Sequence, residues 1–154
     1  MTNDPEAQDF NWVRATLDAT PAAVFNSIRE DIRAAVEERN ASLEKAGASF
    51  RFELGKKDAG WARVLLEPVG HSSRYHCWTD FRLCEDGSIE VLHATNNPGI
   101  PLPDGMTGRP SLDLEGLLRI KVEGSEPLLQ WQFIRRALRS LLFPNVMSLQ
   151  VFGL

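Results

Sequence analysis

The apolar positions of residues 22–46 repeat with a helical period. Val24, Phe25, Ile28, Ile32, Ala35, Val36 and Leu43 fall on one side; Arg29, Glu30, Arg33, Glu37, Glu38 and Asn40 fall on the other. The stretch holds no Gly or Pro. Thr20-Pro21 reads as its N-cap and first helical residue, because a proline there gives up only an N–H that would be unpaired. Gly47 reads as its stop. Such an amphipathic helix reaches about 38 Å at 1.5 Å per residue, enough to lie across a sheet.

The period then changes to two. Phe50, Phe52 and Leu54 alternate with Arg51 and Glu53, and Trp61–Glu67, Arg74–Cys84 and Ser88–Thr95 read as three further strands. Residues 56–60 form a turn, and Asp86-Gly87 suits a two-residue hairpin turn. Leu117–Glu123 resumes strand character. A second helix starts at Gly124-Ser125-Glu126-Pro127 and ends at Phe143. Its apolar face carries Trp131, Ile134, Leu138, Leu141 and Leu142; Gln132, Arg135, Arg136 and Arg139 lie opposite. Phe10–Leu17, rich in aromatic and β-branched residues, reads as an opening strand. Residues 96–111 hold four prolines and three glycines and read as a long loop. Residues 1–9 are polar and read as a flexible tail, whereas 145–154 are half apolar and read as packed. Together these elements predict one α+β domain over 1–154: an antiparallel β-meander packed against a long N-terminal helix and a C-terminal helix.

The segment Val13-Arg14-Ala15-Thr16-Leu17-Asp18-Ala19-Thr20-Pro21-Ala22-Ala23-Val24-Phe25 resembles the opening of the START and polyketide-cyclase-like superfamily. Members begin with a strand, an Ala-x-Pro-type turn and a helix bearing a Val-aromatic pair. The resemblance implies a helix-grip fold, with a sheet wrapped around a C-terminal helix and a cavity for a hydrophobic ligand. Two features depart from that pattern: the first helix is unbroken, and the last is short and followed by a tail. A cystatin-like or NTF2-like helix-on-sheet arrangement accommodates the same element order.

Composition narrows the function classes. The chain has 154 residues, is 43% hydrophobic and carries a formal charge of -4. The apolar content excludes disorder as the main state. Residues 1–116 hold 12 basic and 19 acidic side chains, and residues 117–154 hold 5 and 2, so the second part is net positive. The acidic total argues against nucleic acid as a partner. No apolar run approaches the ~20 residues of a spanning helix, and the polar start lacks a secretory signal, so the expectation is a cytoplasmic protein without a transmembrane segment. Cys77 and Cys84 sit about 23 Å apart if they share one strand, too far for a disulfide. No cofactor or metal motif is present; Asn40-Ala41-Ser42 matches a glycosylation acceptor by letters alone.

Candidate chemistry gathers on the third and fourth strands. With a two-residue turn, Asp80 faces His93 and Arg82 faces Val91, so one face carries His76, Trp78, Asp80, Arg82 and His93. On that face Asp80 would orient His93 as a general base, Trp78 would stack and Arg82 would contact an anion. A three-residue loop would break this parity. Trp61 and Trp131, with Phe50, Phe52 and Phe81, are further candidate pocket walls. Arg135, Arg136 and Arg139 offer a cationic helix face to an acidic partner or anionic lipid. The leading expectation is a small binding protein that holds a hydrophobic molecule between sheet and helix, with residues 96–111 bordering the pocket. A protein-protein interaction module and a small enzyme using Asp80 and His93 are the alternatives. A ligand binder should keep an internal cavity; an interaction module should have a filled core and an exposed apolar patch.

Overall fold

A computed structural model describes residues 11–55, 58–69 and 76–144. Helix α2 spans Pro21–Lys45 and buries Val24, Phe25, Ile28, Ile32, Val36 and Leu43, the stripe its period predicts. Arg29 departs from the pattern. It is buried, its guanidinium 5.1 Å from the Phe25 ring centre and donating to the Ala59 carbonyl. It stands beside the stripe, where a long side chain can reach the turn at Ala59. Thr20 holds the N-cap position, but its hydroxyl donates to the Leu17 carbonyl (2.9 Å) and makes no cap. Gly47 follows the helix at φ 65°, a conformation that favours glycine.

Six strands follow: β1 Phe50–Gly55, β2 Trp61–Pro68, β3 Cys77–Leu83, β4 Ile89–Thr95, β5 Met106–Leu112 and β6 Leu118–Val122. They pair antiparallel in chain order, and helix α3 runs Gln130–Leu142. The two-layer α+β architecture is therefore the one the periodicities predict. Phe50, Phe52, Val64, Leu66, Phe81, Ile89, Val91 and Ile120 face the helices and join Phe25, Ile28, Ile32, Phe133 and Leu138 in one core.

Three expectations are corrected. Of the strand expected over Phe10–Leu17, the described residues 11–17 form none. Trp12–Asp18 forms a short helix, α1, capped by Asn11, whose Oδ1 accepts from the Arg14 N–H (2.9 Å). A strand there would need a sheet edge, and both edges are engaged. On β1, Asn40 of α2 donates to the Phe52 carbonyl and accepts from its N–H, both at 2.8 Å. On β6, Ile120 and Leu128 exchange two backbone bonds. The Asn40 amide is thus spent on the edge of β1 rather than displayed as an acceptor for modification.

The second correction is β5, inside the region expected to be loop. Pro110 tolerates a strand here. Its neighbour Ile120 directs its N–H and C=O to Leu128, so residue 110 needs no bond from β6. Pairing with β4 ends at Gly108↔Ile89, so nothing on that side needs a proline N–H. Residues 96–105 remain irregular.

The third correction concerns the hairpin between β3 and β4. Cys84 N–H donates to Ser88 C=O (2.9 Å) and Gly87 N–H to Cys84 C=O (3.0 Å), which leaves three loop residues, with Gly87 at φ 84°. The register is Thr79↔His93, Asp80↔Leu92 and Arg82↔Glu90. One residue of slip moves a whole strand to the other face. His93 therefore shares a side with Thr79 and Phe81, and Asp80 lies on the opposite side.

The segment ending at Leu128 returns along β6 before α3 begins, and this sets the direction of α3. Gln130 donates to Ser27 and Asp31 of α2 (3.0 and 2.7 Å), while Arg39 of α2 donates to the Leu142 carbonyl (2.8 Å). Both ties span the same sequence offset, so the two helices run parallel for about 18 Å. The tails expected at 1–9 and 145–154, and the first residues of the strand expected from Arg74, lie outside the described residues.

Asn40→Ala should cost about 1–3 kcal/mol, because two backbone groups at Phe52 lose their partner on a half-buried edge. Urea unfolding measures the loss. Light scattering should also show more self-association, since the edge is then open to strand pairing.

Candidate functional site

The side of the sheet away from the helices brings together Trp61, Trp78, Arg82 and His76 of the expected site residues. Trp61 pairs with Arg82, Arg63 with Asp80 and Leu65 with Trp78. The Arg63 guanidinium lies 5.1 Å from the Trp78 ring and 5.7 Å from the Trp61 ring, and Arg82 lies 4.7 Å from Trp61. Asp80 accepts from Arg63 Nε at 2.7 Å and from a terminal nitrogen at 2.9 Å. That hydrogen bond raises the Arg63 pKa further. The Arg63–Asp80 pair and the two indole rings thus form a ladder across this face, with Glu90 opposite Arg82. Arg63, which no motif singled out, is its hub; the signal for it was its parity with Trp61 on one strand.

His93 lies on the helix side. Its Nδ1 is 2.9 Å from Thr79 Oγ1, and Thr79 is fully buried. Asp80 is bound to Arg63 across the sheet, so the Asp80–His93 pair does not form. Burial lowers the His93 pKa below its ordinary value. The unfolded chain then takes up a proton before the folded one does. Stability from this group is complete above the unfolded value of about 6.5 and is lost as pH falls below it toward the folded pKa. His93→Gln should flatten that fall, read as the urea midpoint at about pH 7.5 against about pH 5.5. Burial also raises the Cys77 pKa, so this thiol is protonated at neutral pH, and both cysteines are free. Among the described residues no three His, Cys, Asp or Glu side chains converge as a metal site.

A mostly apolar groove of about 640 Å³ lies on the outer surface of the helical layer. Ala34 and Ala35 of α2 and Ile134, Leu138 and Leu142 of α3 line it, with Trp131 at one end and Phe143 at the other. Small alanines on α2 leave room between the parallel helices. Trp131, expected in the buried stripe, is 56% exposed, and Phe143 is 62% exposed. Arg135 and Arg139, one turn apart, form one rim, while Asp31 stands on the other, bound to Gln130. Arg136 points elsewhere, beside Lys121 and Glu123. Among the described residues none of the three arginines makes an ion pair or side-chain hydrogen bond. Ion pairs form elsewhere: Arg33–Glu30 along α2, and Arg51–Glu67, Arg63–Asp80, Arg109–Asp86 and Arg119–Asp113 on or near the sheet.

A smaller recess of about 240 Å³ lies where the sheet, the end of α3 and residues 100–103 meet. Among the described residues no helix is long and apolar enough to cross a membrane. Comparisons with protein-family models, curated proteins and solved structures gave no match.

Proposed function

We propose that this protein is an interaction module that seats an acidic amphipathic helix of another protein in the groove between α2 and α3. The observation that carries this reading is the groove itself: apolar along its floor and rimmed by two arginines without acidic partners among the described residues. Helix-in-groove recognition uses apolar anchors at i, i+3, i+4 and i+7, with flanking charges that fix orientation. The distance from Trp131 to Phe143 matches about twelve helical residues. Trp131 and Phe143 supply exposed aromatic surface of the kind that anchors interfaces. The positive balance of residues 117–154 favours an acidic occupant. The buried apolar residues form one core between sheet and helices, and the groove lies outside it, an exposed apolar surface of the kind an interaction module presents.

The test is a titration of the full chain with a fluorescent fourteen-residue amphipathic helix bearing leucines on one face and glutamates beside them. Saturable binding that weakens at least tenfold in Trp131→Ala and in a lysine version of the peptide supports the proposal. Equal binding by both peptides contradicts it. Binding to vesicles of anionic phospholipid, with no peptide binding, would assign the surface to a membrane instead.

A further inference from the structure

The 240 Å³ recess adjoins the groove at Phe143, which borders both, but its floor is on the sheet. Leu66, Cys77, Thr79 and His93 form its floor, and Leu141 of α3 and Leu102 of the proline-rich segment form its walls. It exists because α3 ends at Leu142 and residues 100–103 bridge the gap before β5. The lining is apolar apart from the Thr79–His93 pair and Ser140. Among the described residues no charged side chain lines it.

The pair fixes what the recess can offer. Thr79 Oγ1 has no other hydrogen-bond partner among the described residues. If it accepted from His93, its own proton would be buried without an acceptor, which costs about 1–3 kcal/mol. It therefore donates to Nδ1. The imidazole proton then sits on Nε2, the ring nitrogen that Thr79 leaves unoccupied. Cys77, protonated and half-buried, acts as a small apolar wall. Beside the Ser140 hydroxyl, the recess thus offers the His93 N–H among mostly apolar side chains.

We infer that this recess is a binding site for a small neutral molecule, mostly apolar, that carries one carbonyl-type acceptor placed against His93 Nε2. A 150 Å³ apolar cavity holds benzene, so 240 Å³ accommodates about ten non-hydrogen atoms. Aryl and short acyl ketones, esters and amides have this size and chemistry. A carboxylate does not fit, because no cation lines the recess to replace its hydration.

Isotope-labelled full-length protein titrated with acetophenone tests the site, with ethylbenzene and benzoate as controls. Saturable shifts at Cys77, Thr79, His93 and Leu141 are expected, with the Nε2–H tautomer retained in the complex. Ethylbenzene and benzoate should each bind at least tenfold more weakly. His93→Leu, which keeps most of the volume and removes the N–H donor, should lower acetophenone affinity, and Leu102→Arg on the exposed wall should block it without touching the core. No saturable shift at millimolar acetophenone would overturn the inference. Equal binding of acetophenone and ethylbenzene, or unchanged binding in both variants, would do the same. Neither variant lines the helix groove, so failure here leaves the docking proposal standing.

Discussion

Phe133→Ala is expected to lose about 3–5 kcal/mol of stability. Phe133 is fully buried and its ring presses directly on Gly108 of β5. A Cβ at Gly108 would lie 2.6 Å from Phe133 Cε2 and 2.6 Å from Ile120 Cγ2. The absence of a side chain at 108 is what lets α3 sit this close to the sheet, and removing the ring would leave a void at that contact. Gly108→Ala should itself cost about 1–3 kcal/mol through overpacking. Part of that cost should vanish in the Phe133→Ala background, because the alanine methyl then has space. Urea unfolding of the four chains gives the coupling. Strictly additive losses would show that the ring and the glycine do not meet.

Asp80→Ala is expected to cost about 2–3 kcal/mol. Breaking a buried ion pair costs about 3–5 kcal/mol, and Arg63 keeps 32% of its side chain exposed, so water offsets part of the loss. The carboxylate accepts two bonds from a guanidinium held between Trp61 and Trp78. Without it the cation keeps its rings and loses its counter-ion. Arg63→Met should cost at least as much, because it leaves the more buried Asp80 carboxylate, 12% exposed, without a counter-ion even though the methionine stem packs between the rings. Neither change should alter peptide binding, because the ladder and the groove occupy opposite sides of the molecule. Thermal unfolding and the peptide titration separate the two effects. A variant that keeps full stability would show that the Arg63–Asp80 contact is not maintained in solution.

The sequence made the layers legible. Twenty-five residues without Gly or Pro specify α2, and the switch to alternation at Phe50 marks the sheet. The element at 106–112 was hidden by local chemistry. Pro110 and Gly108 oppose a strand by composition, and both are tolerated for reasons visible only in three dimensions: a neighbour that bonds elsewhere and a ring that needs the space. The opening segment misled in the reverse sense. Its aromatic and β-branched residues favour a strand, but Asn40 and Leu128 occupy the edges it would need.

The candidate site was legible in its composition and not in its pairing. Trp61, Trp78 and Arg82 do come together, because alternation alone places them on one side. His93 leaves them, because a three-residue loop instead of two shifts β4 by one position, and the sequence Glu-Asp-Gly-Ser permits both. The arginines of α3 were visible as a face, but a linear pattern does not tell which of them borders a groove. That depends on the parallel course of α2 and α3, set by the return of the chain along β6. The lining alanines, Ala34 and Ala35, carried no signal at all; their smallness matters only once the second helix is beside them.

The most direct test of the docking proposal is a charge exchange. The glutamate-flanked and lysine-flanked helical peptides are titrated against the wild-type chain and against Arg135→Glu/Arg139→Glu, with circular dichroism confirming that both chains fold. The account predicts that the wild type prefers the acidic peptide by at least tenfold and that the double variant reverses this preference. Both preferences should fade as salt is raised, since the rim charges are exposed to solvent. An unreversed preference, or binding indifferent to both charge sets, would contradict it.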